Sequence, residues 1–374
     1  MQGTYEPSYK EEWQVQNMNN IFAGISGITY TPYLCRELHT FELADFEKAF
    51  SQESTFILNV GRGQQIAISS WVSSKRTRTY PYVRVYDSLS FSGKKITIIP
   101  IIKDEGADGE RDYLQFDTVS LMSLLGVYVI ISYYKEAESN PKYANKITKQ
   151  RYDTQHIIGE IKKVPFFQSD ALHWNLEQLD HAGEIGEKAI ESYVRISKER
   201  GVAMHSTELA RKRIRKLQEG KEVFLNLSRK LAEKAQRTES ISSQPKEKLC
   251  GNKARITIKN YLGGEYFLTC DEAEIHGNEI FLIEGKHTAS KSFPALNDIK
   301  DGLLKMILLT NLKNVRIGDK RFTPIPILKL TTGRPIKLDS LNPKEKNTLS
   351  LLEKESESNA FRIRINANFL KKQK

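Results

Sequence analysis

Hydrophobic and polar residues alternate along the chain in patterns that change character several times. Between residues 55 and 102, short apolar runs separated by Gly or Ser (FILNV, QQIAISSWV, YVRVYDSL and KKITIIPII) predict strands. An acidic loop, residues 103–112, comes next. The apolar stretch Leu121–Tyr134 that follows is too short to cross a bilayer, so we expect a buried strand or a helix–strand junction there.

The remainder of the chain begins with a helical pattern and ends with a mixed one. Residues 153–239 are rich in Glu, Lys, Arg, Leu and Ala, which predicts helices, and residues 238–246 have linker composition. Beyond them we predict strands at 254–260 and 265–269 around a Leu-Gly-Gly turn, two further strands, a helix from Asp298 to about Asn311, and a strand near 323–329.

This order of elements predicts an α+β, or mixed α/β, fold in two domains. The larger, N-terminal region is placed at residues 1–240, β-rich over 55–135 and helical over 150–240. The C-terminal domain is placed at residues 241–374.

Composition narrows the class of partner. Of the 374 residues, 57 are Lys or Arg and 46 are Asp or Glu, which gives a net charge of +11 and a pI near 9.3. Such an excess favours a polyanionic partner, nucleic acid first and an anionic membrane surface second. Three widely spaced cysteines support neither a disulfide framework nor a zinc site, and the polar N-terminus has no apolar run typical of a secretory signal. We therefore expect a cytoplasmic protein with no membrane segment.

The most informative segment is DEAEIHGNEIFLIEGKHT, residues 271–288. Gly277-Asn278 lies between two strand-like runs and suits a two-residue type II′ hairpin turn. A turn of that length pairs His276 with Glu279, which sets the register of every other pair in the hairpin.

This register predicts which side chains lie together. Asp271 is placed opposite Glu284, and both share a face with Lys286, whereas Glu272 points to the other face. A slip of one residue would exchange Asp271 for Glu272.

Two opposed carboxylates repel each other, and apolar neighbours strengthen the repulsion unless a cation lies between them. Carboxylate oxygens are the ligands that Mg²⁺ prefers, and a lysine on the same face can stabilise the charge that develops on a phosphate or orient the attacking water. The pattern therefore indicates metal-assisted hydrolysis of a phosphodiester. The alternative is a plain surface hairpin whose charges face solvent.

These residues resemble the motif of the PD-(D/E)xK nuclease superfamily and, within it, the type II restriction endonucleases. Asp271 matches the first acid, Glu284 and Lys286 match the acid–x–lysine pair, and Cys270 stands where the name of the superfamily has proline. The likeness covers roughly residues 253–330, including the helix and the strand after the motif. It implies that the C-terminal domain is a nuclease core, a mixed sheet flanked by helices.

The resemblance also implies an activity and its partners. It implies Mg²⁺-dependent cleavage of double-stranded DNA, commonly by a homodimer at a palindromic site, with Asp271, Glu284 and the backbone carbonyl of Gly285 holding the metal and no other cofactor. The N-terminal region would supply DNA recognition and dimer contacts, as in an enzyme of a restriction–modification system. Two alternatives stay open: a DNA repair or junction-resolving nuclease on the same core, and a non-catalytic DNA-binding regulator.

A basic segment with interleaved tyrosines is the candidate for DNA recognition. Arginine reads guanine or clamps phosphate, and tyrosine contacts the backbone or stacks on bases. We predict a strand over residues 73–86 with three arginines on one face; the alternative is an edge strand with ordinary surface charge. The basic helices of residues 191–239 are the next candidate. The candidate DNA-binding side chains are Lys75, Arg76, Arg78, Arg84, Tyr80 and Tyr82.

Two other acidic patterns carry less weight. Residues 160–162 (Glu-Ile-Lys) repeat the acid–x–lysine spacing, but their apolar neighbours fit a helical face, so we predict a helix. The loop 103–112 has enough acids for a divalent cation but lacks the ligand spacing of an EF-hand, so we predict a solvated loop.

Overall fold

The computed structural model describes residues 20–218, 252–260 and 265–370, and these form a mixed α/β structure. They divide into two compact units. The middle unit consists of residues 35–218. The C-terminal unit consists of residues 20–34 together with 252–260 and 265–370.

The division into units differs from the predicted one at its N-terminal end. Residues 20–34 belong to the C-terminal unit, because Asn20–Ile25 adds a strand to its sheet. The predicted linker at 238–246 and the Leu-Gly-Gly turn at 262–264 lie outside the described residues.

The strands, numbered in chain order, are β1 (Asn20–Ile25), β2 (Thr40–Glu42), β3 (Thr55–Asn59), β4 (Gln65–Ser70), β5 (Lys94–Pro100), β6 (Ile102–Asp104), β7 (Arg111–Tyr113), β8 (Val127–Ser132), β9 (Tyr134–Ser139), β10 (Ile147–Tyr152), β11 (Asn252–Asn260), β12 (Glu265–His276), β13 (Glu279–Thr288), β14 (Lys313–Ile317), β15 (Lys320–Arg321), β16 (Thr323–Thr332), β17 (Arg362–Ile365) and β18 (Asn368–Phe369). The α-helices are α1 (Phe46–Gln52), α2 (Pro81–Ser88), α3 (Phe116–Leu124), α4 (Thr154–Lys163), α5 (Ala171–Asp180), α6 (Ala182–Arg200), α7 (Thr207–Gln218), α8 (Leu296–Thr310) and α9 (Pro343–Ser358). Within these described segments, no helix is both long enough and apolar enough to span a membrane.

The middle unit is built on a five-stranded sheet in the order β2-β3-β4-β5-β8. β3 and β4 form an antiparallel hairpin, whereas β4, β5 and β8 run parallel, with α2 between β4 and β5 in the chain and α3 before β8. Phe56, Ile68, Ile98 and Ile130 point to one side of this sheet and are buried in one cluster with Trp174 of α5. Helices cover this face, since Phe46 of α1 and Ile157 of α4 belong to the same buried cluster as Trp174.

Two predictions for the middle unit are confirmed. The stretch Leu121–Tyr134 is a helix–strand junction, since α3 gives way to β8 around Gly126, whose φ is +67°. The Glu-Ile-Lys pattern at 160–162 lies in α4, which buries Ile157 and Ile161.

The predicted strand YVRVYDSL is wrong, because Pro81–Ser88 forms α2. Proline occupies the first helical position, where its fixed φ and missing N–H suit a helix start, and Tyr80 before it has φ +50°. Val83 and Val85 alternate with other residues as in a strand, yet both are buried in the helix. Tertiary packing here overrides the local β preference of valine.

The C-terminal unit is a nine-stranded mixed sheet in the order β15-β14-β1-β11-β12-β13-β16-β17-β18. β11, β12 and β13 are antiparallel neighbours, whereas β13, β16 and β17 are parallel. α8 follows β13 in the chain, and α9 lies between β16 and β17. β1 pairs parallel to β11 and so extends the sheet.

The predicted order of strands and helix in this unit is confirmed, with two differences. The predicted strand at 265–269 and the strand after it are one continuous strand, β12. A short hairpin, β14–β15, lies between α8 and β16 in the chain and was not predicted.

Helix α8 packs against β13 and β16, near the centre of the sheet. Its buried side chains include Ile299, Leu303, Ile307 and Leu308. Full burial of one such aliphatic side chain contributes about 1.5–3 kcal/mol. The helix is therefore held firmly against the strand that carries Glu284.

Candidate active site

The β12–β13 hairpin has the predicted register. His276 pairs with Glu279, as a two-residue turn requires. Gly277, the first turn residue, has φ +63°, in the left-handed region that glycine adopts without strain and that a type II′ turn needs at this position. Continued along the strands, this register sets Asp271 opposite Glu284.

Asp271 and Glu284 lie where their charges are penalised. Glu284 is 1% exposed, so the alternative of a plain surface hairpin is wrong. Asp271 Oδ2 accepts a hydrogen bond of 2.7 Å from the backbone N–H of Gly285, and no donor in the described part of the chain bonds its Oδ1. Burial, and after it the charge of Glu284, raises the pKa of Asp271 to about 6.

Two lysines hold Glu284. Lys286 Nζ lies 2.9 Å from Oε1, and Lys305 Nζ lies 2.8 Å from Oε2. Burial opposes ionisation of Glu284, but the charges of Lys305 and Lys286 hold its pKa below the usual value. Glu284 is therefore an ionised carboxylate fixed in place through both of its oxygens.

Helix α8 contributes groups that the sequence pattern did not predict. Asp301 Oδ2 lies 2.8 Å from Lys286 Nζ, and Lys305 comes one helical turn later on the same side of the helix. Burial opposes protonation of Lys286, but Glu284 and Asp301 raise its pKa above the usual value. Gly302 lets α8 pack closely against β13, since a Cβ at this position would lie 2.8 Å from Lys286 Cε. One feature of the sequence could have indicated this contribution of α8: Lys305 is a charged residue within an apolar helical stripe.

The other face of the hairpin is separate from this cluster. Glu272 Oε1 lies 2.7 Å from Lys329 Nζ, and Glu274 pairs with Arg364 at 2.9 Å. Glu272 therefore has its own counter-ion and points away from Glu284. The predicted preference for Asp271 over Glu272 agrees with this geometry.

The donor set fits a hard divalent cation such as Mg²⁺. Asp271 and Glu284 are adjacent acids, and within the described ranges no protein group donates a hydrogen bond to Oδ1 of Asp271. Together with Asp301 they place three acids against two lysines, so the cluster has a net negative charge. The described residues contain no group of three or more His, Cys, Asp or Glu side chains arranged to hold a metal. Two carboxylates with water and a backbone carbonyl form a usual ligand set for Mg²⁺.

The basic segment 73–86 does not form the predicted strand. It consists of turns followed by α2, so its arginines do not line one strand face. Arg84 turns inward, where its Nη1 donates to the carbonyl of Ser70 at 2.6 Å. Tyr82 is buried, and Tyr80 is exposed.

The acidic loop 103–112 supplies counter-ions to that segment. Arg78 lies 2.6 Å from Glu105, 3.3 Å from Asp112, and in contact with Glu110. Lys75 also faces Asp112, at 3.9 Å. The prediction of a solvated loop is wrong for the ends of this segment, which belong to the β6–β7 hairpin and bury Asp104 and Asp112, whereas Asp108 and Glu110 at its tip are exposed. Much of the positive charge that suggested a DNA contact is thus paired within the protein.

No protein-family model, no curated protein and no solved structure matches this chain. What the protein does is therefore inferred from the chemistry of the Asp271–Glu284–Lys286 cluster and its surroundings.

Proposed function

We propose that this protein is a Mg²⁺-dependent, sequence-specific endonuclease of the type II restriction class that cleaves double-stranded DNA. The observation that carries the proposal is the cluster of Asp271, Glu284 and Lys286, two opposed acids and an ammonium group on the helix-covered face of one hairpin. The order of antiparallel β11, β12 and β13, helix α8 and parallel β16 supports a core of the PD-(D/E)xK type.

The roles follow from the charges. Asp271 and Glu284, with the backbone carbonyl of Gly285, would hold Mg²⁺. Bound there, the ion would supply a Lewis acid and a water of lowered pKa. Lys286 stays protonated because Glu284 and Asp301 raise its pKa. It can therefore orient the attacking water and stabilise the negative charge that develops on the phosphate.

Two residues of α8 act as positioning residues. Lys305 fixes Oε2 of Glu284 at 2.8 Å, and Asp301 fixes Lys286 at 2.8 Å. Each restricts a long side chain to one direction, and a displacement of about 1 Å at a reacting group can cost 10²-fold in rate. Neither needs to touch DNA.

The partners follow from charge and symmetry. A net charge of +11 favours duplex DNA, whose phosphates dominate the affinity of most DNA-binding proteins. Cleavage of both strands at a palindromic site calls for two centres related by a two-fold axis, hence a homodimer. We place the enzyme in the cytoplasm, as part of a restriction–modification system.

Incubation of phage DNA with the purified protein in Mg²⁺, and in EDTA, tests the proposal. We expect discrete fragments that require Mg²⁺. Asp271→Asn should abolish them, whereas Glu272→Gln, the neighbouring acid on the other face, should retain most of the cleavage. A smear, or cutting of branched junctions, would favour the repair nuclease. Absence of any cutting by folded wild-type protein would favour the DNA-binding regulator.

A further inference from the structure

One edge of the nine-stranded sheet carries a row of basic and aromatic side chains. The strands β15, β14, β1, β11 and β12 are neighbours at this edge. Residues that pair directly across neighbouring strands point to the same face of a sheet. The registers pair one residue of each strand with the next, and these residues are, in order across the sheet, Arg321, Arg316, Phe22, Thr257 and Phe267.

This row lies on the solvent side of the sheet. The residues that alternate with it along the strands, among them Ile21, Ile256 and Leu268, are buried on the other side. Phe22 is 42% exposed, both arginines are exposed, and Phe267 is partly exposed. The rings and the guanidinium groups of the row can therefore be reached by a partner.

The positive charge of this face is not neutralised by ion pairs. Arg316 and Arg321 lie directly opposite each other, and like charges in that position destabilise a sheet. Neither arginine forms an ion pair with an acid among the residues that the structure describes, and Arg316 instead lies 5.7 Å from the ring centroid of Phe22. Arg255 of β11, opposite Thr269, adds a third cation to the same face. Such a face attracts a polyanion.

Aromatic rings among the cations identify the kind of polyanion. Proteins bind single-stranded nucleic acid by stacking its bases on aromatic side chains while positive charges follow its backbone, and an open sheet face is one surface used for this purpose. Neighbouring strands lie about 4.8 Å apart, so Phe22 and Phe267, two strands apart, offer two rings about 10 Å from each other. In a duplex each base is stacked between its neighbours and has to be unstacked before it can lie on an exposed ring. The rings therefore favour a single strand over a duplex.

We propose that this face of β15, β14, β1, β11 and β12 binds single-stranded nucleic acid, with a base stacked on Phe22 and phosphates beside Arg255, Arg316 and Arg321. The site contains none of the residues of the Asp271–Glu284–Lys286 cluster. The inference goes beyond the proposed function, whose substrate is a duplex, and it does not depend on cleavage.

Fluorescence anisotropy of a labelled oligothymidylate, measured with the full chain in EDTA, tests this binding without cleavage. We expect Phe22→Ala to weaken binding about 5- to 100-fold, as loss of one stacked base does, and to leave the slope of log affinity against log salt unchanged. Phe22→Tyr keeps an aromatic ring and should bind like wild type. Arg316→Ala should reduce the salt slope by about 0.7, the value for one phosphate contact on a single strand.

A second exposed phenylalanine provides a matched control. Phe166 is 65% exposed and has Arg62 at 5.8 Å from its ring centroid, but it belongs to the middle unit and not to this face. Phe166→Ala should bind the oligothymidylate like wild type. Unchanged binding in Phe22→Ala, an equal loss in Phe166→Ala, or no binding by the wild-type protein would overturn the inference. Circular dichroism of each variant checks that its fold is intact.

The same titration with a labelled duplex separates the two forms of DNA. We expect Phe22→Ala to bind the duplex as wild type does, because a duplex has no free base to stack on the ring. An equal loss of duplex and single-strand binding would make the face a duplex contact and overturn the inference. Failure of the wild-type protein to cut phage DNA in Mg²⁺ would instead overturn the proposed function and leave the oligothymidylate binding as expected here.

Discussion

At the scale of single residues, Lys286 belongs both to the proposed chemistry and to the packing of the fold. A second ion pair offers a matched comparison, because Glu272, on the opposite face of the same hairpin, pairs with Lys329 of β16. Both lysine side chains are 14% exposed, and both glutamates are 2% exposed. Removing one partner of such a buried pair costs on the order of 3–5 kcal/mol.

We predict that Lys286→Ala abolishes cleavage and leaves specific DNA binding nearly intact, since it removes one of many positive charges. Lys329→Ala should lose a comparable amount of stability but keep its cleavage. Cleavage assays, DNA-binding titrations and urea unfolding of both variants provide the test. Substantial cutting by Lys286→Ala, or equal loss of cutting in Lys329→Ala, would contradict the assignment of Lys286.

Asp271 predicts a stability that falls as pH rises. Its pKa is about 6 in the folded protein and about 4 in an unfolded chain. Between these values the folded state holds a proton that the unfolded state has released, so unfolding becomes easier with rising pH. The extra stability is fully present below pH 4 and is lost as pH passes 6, by about 2–3 kcal/mol.

We expect Asp271→Asn to be more stable than wild type at pH 7, with the difference shrinking towards pH 4. Urea unfolding in EDTA at both pH values measures this. Glu272→Gln is the control, because it breaks the ion pair with Lys329 and should destabilise the protein. If Asp271→Asn is no more stable than wild type at pH 7, the ionised Asp271 carboxylate does not destabilise the folded, metal-free protein, which contradicts the raised pKa.

At the scale of secondary structure, α8 decides where Lys286 lies. Gly302 sits in this helix, and a Cβ there would lie 2.8 Å from Lys286 Cε and 2.9 Å from Leu328 Cδ1. Gly159 in α4 offers a matched glycine, because a Cβ there would meet nothing within 4 Å. Ala is favoured over Gly in a helix interior by about 0.8–1 kcal/mol.

Gly302→Ala is therefore expected to displace Lys286 and to lower the cleavage rate at least about tenfold, as small displacements at a reacting group do. Gly159→Ala should instead stabilise the protein by up to about 1 kcal/mol and leave cleavage unchanged. Single-turnover cleavage and thermal unfolding of the two variants distinguish these effects. Unchanged cleavage in Gly302→Ala would mean that the helix or the lysine adjusts freely.

The elements that could be predicted from the sequence are those fixed by local rules. A two-residue turn sets the hairpin register, so it could be predicted from the sequence that Asp271 and Glu284 lie opposite each other. Lys305 could not be placed, because its contact with Glu284 depends on how α8 crosses the sheet. α2 was missed because burial of Val83 and Val85 outweighs the strand-like alternation of its sequence.

At the scale of the whole molecule, a net charge of +11 predicts DNA affinity that falls steeply with salt. Ion pairs within the protein decide which lysine and arginine side chains contribute to this affinity for DNA. Arg78 is surrounded by Glu105, Glu110 and Asp112, and releasing it would leave three acids together. Lys212 on α7 is exposed and lies in the basic helical region that is the second candidate for DNA contact.

These two cations should respond differently when each is replaced by alanine. Lys212→Ala should reduce the slope of log affinity against log salt by about one and weaken binding evenly across DNA sequences, as loss of a phosphate contact does. Arg78→Ala should leave that slope unchanged and lower the stability of the middle unit, because Glu105 and Asp112 then keep only the lysines Lys103 and Lys75 as counter-ions. Affinity for cognate and non-cognate duplexes at several salt concentrations, with urea unfolding in parallel, measures both effects. A smaller slope in Arg78→Ala would mean that DNA draws Arg78 out of its acidic surroundings and that residues 73–86 contact the duplex after all.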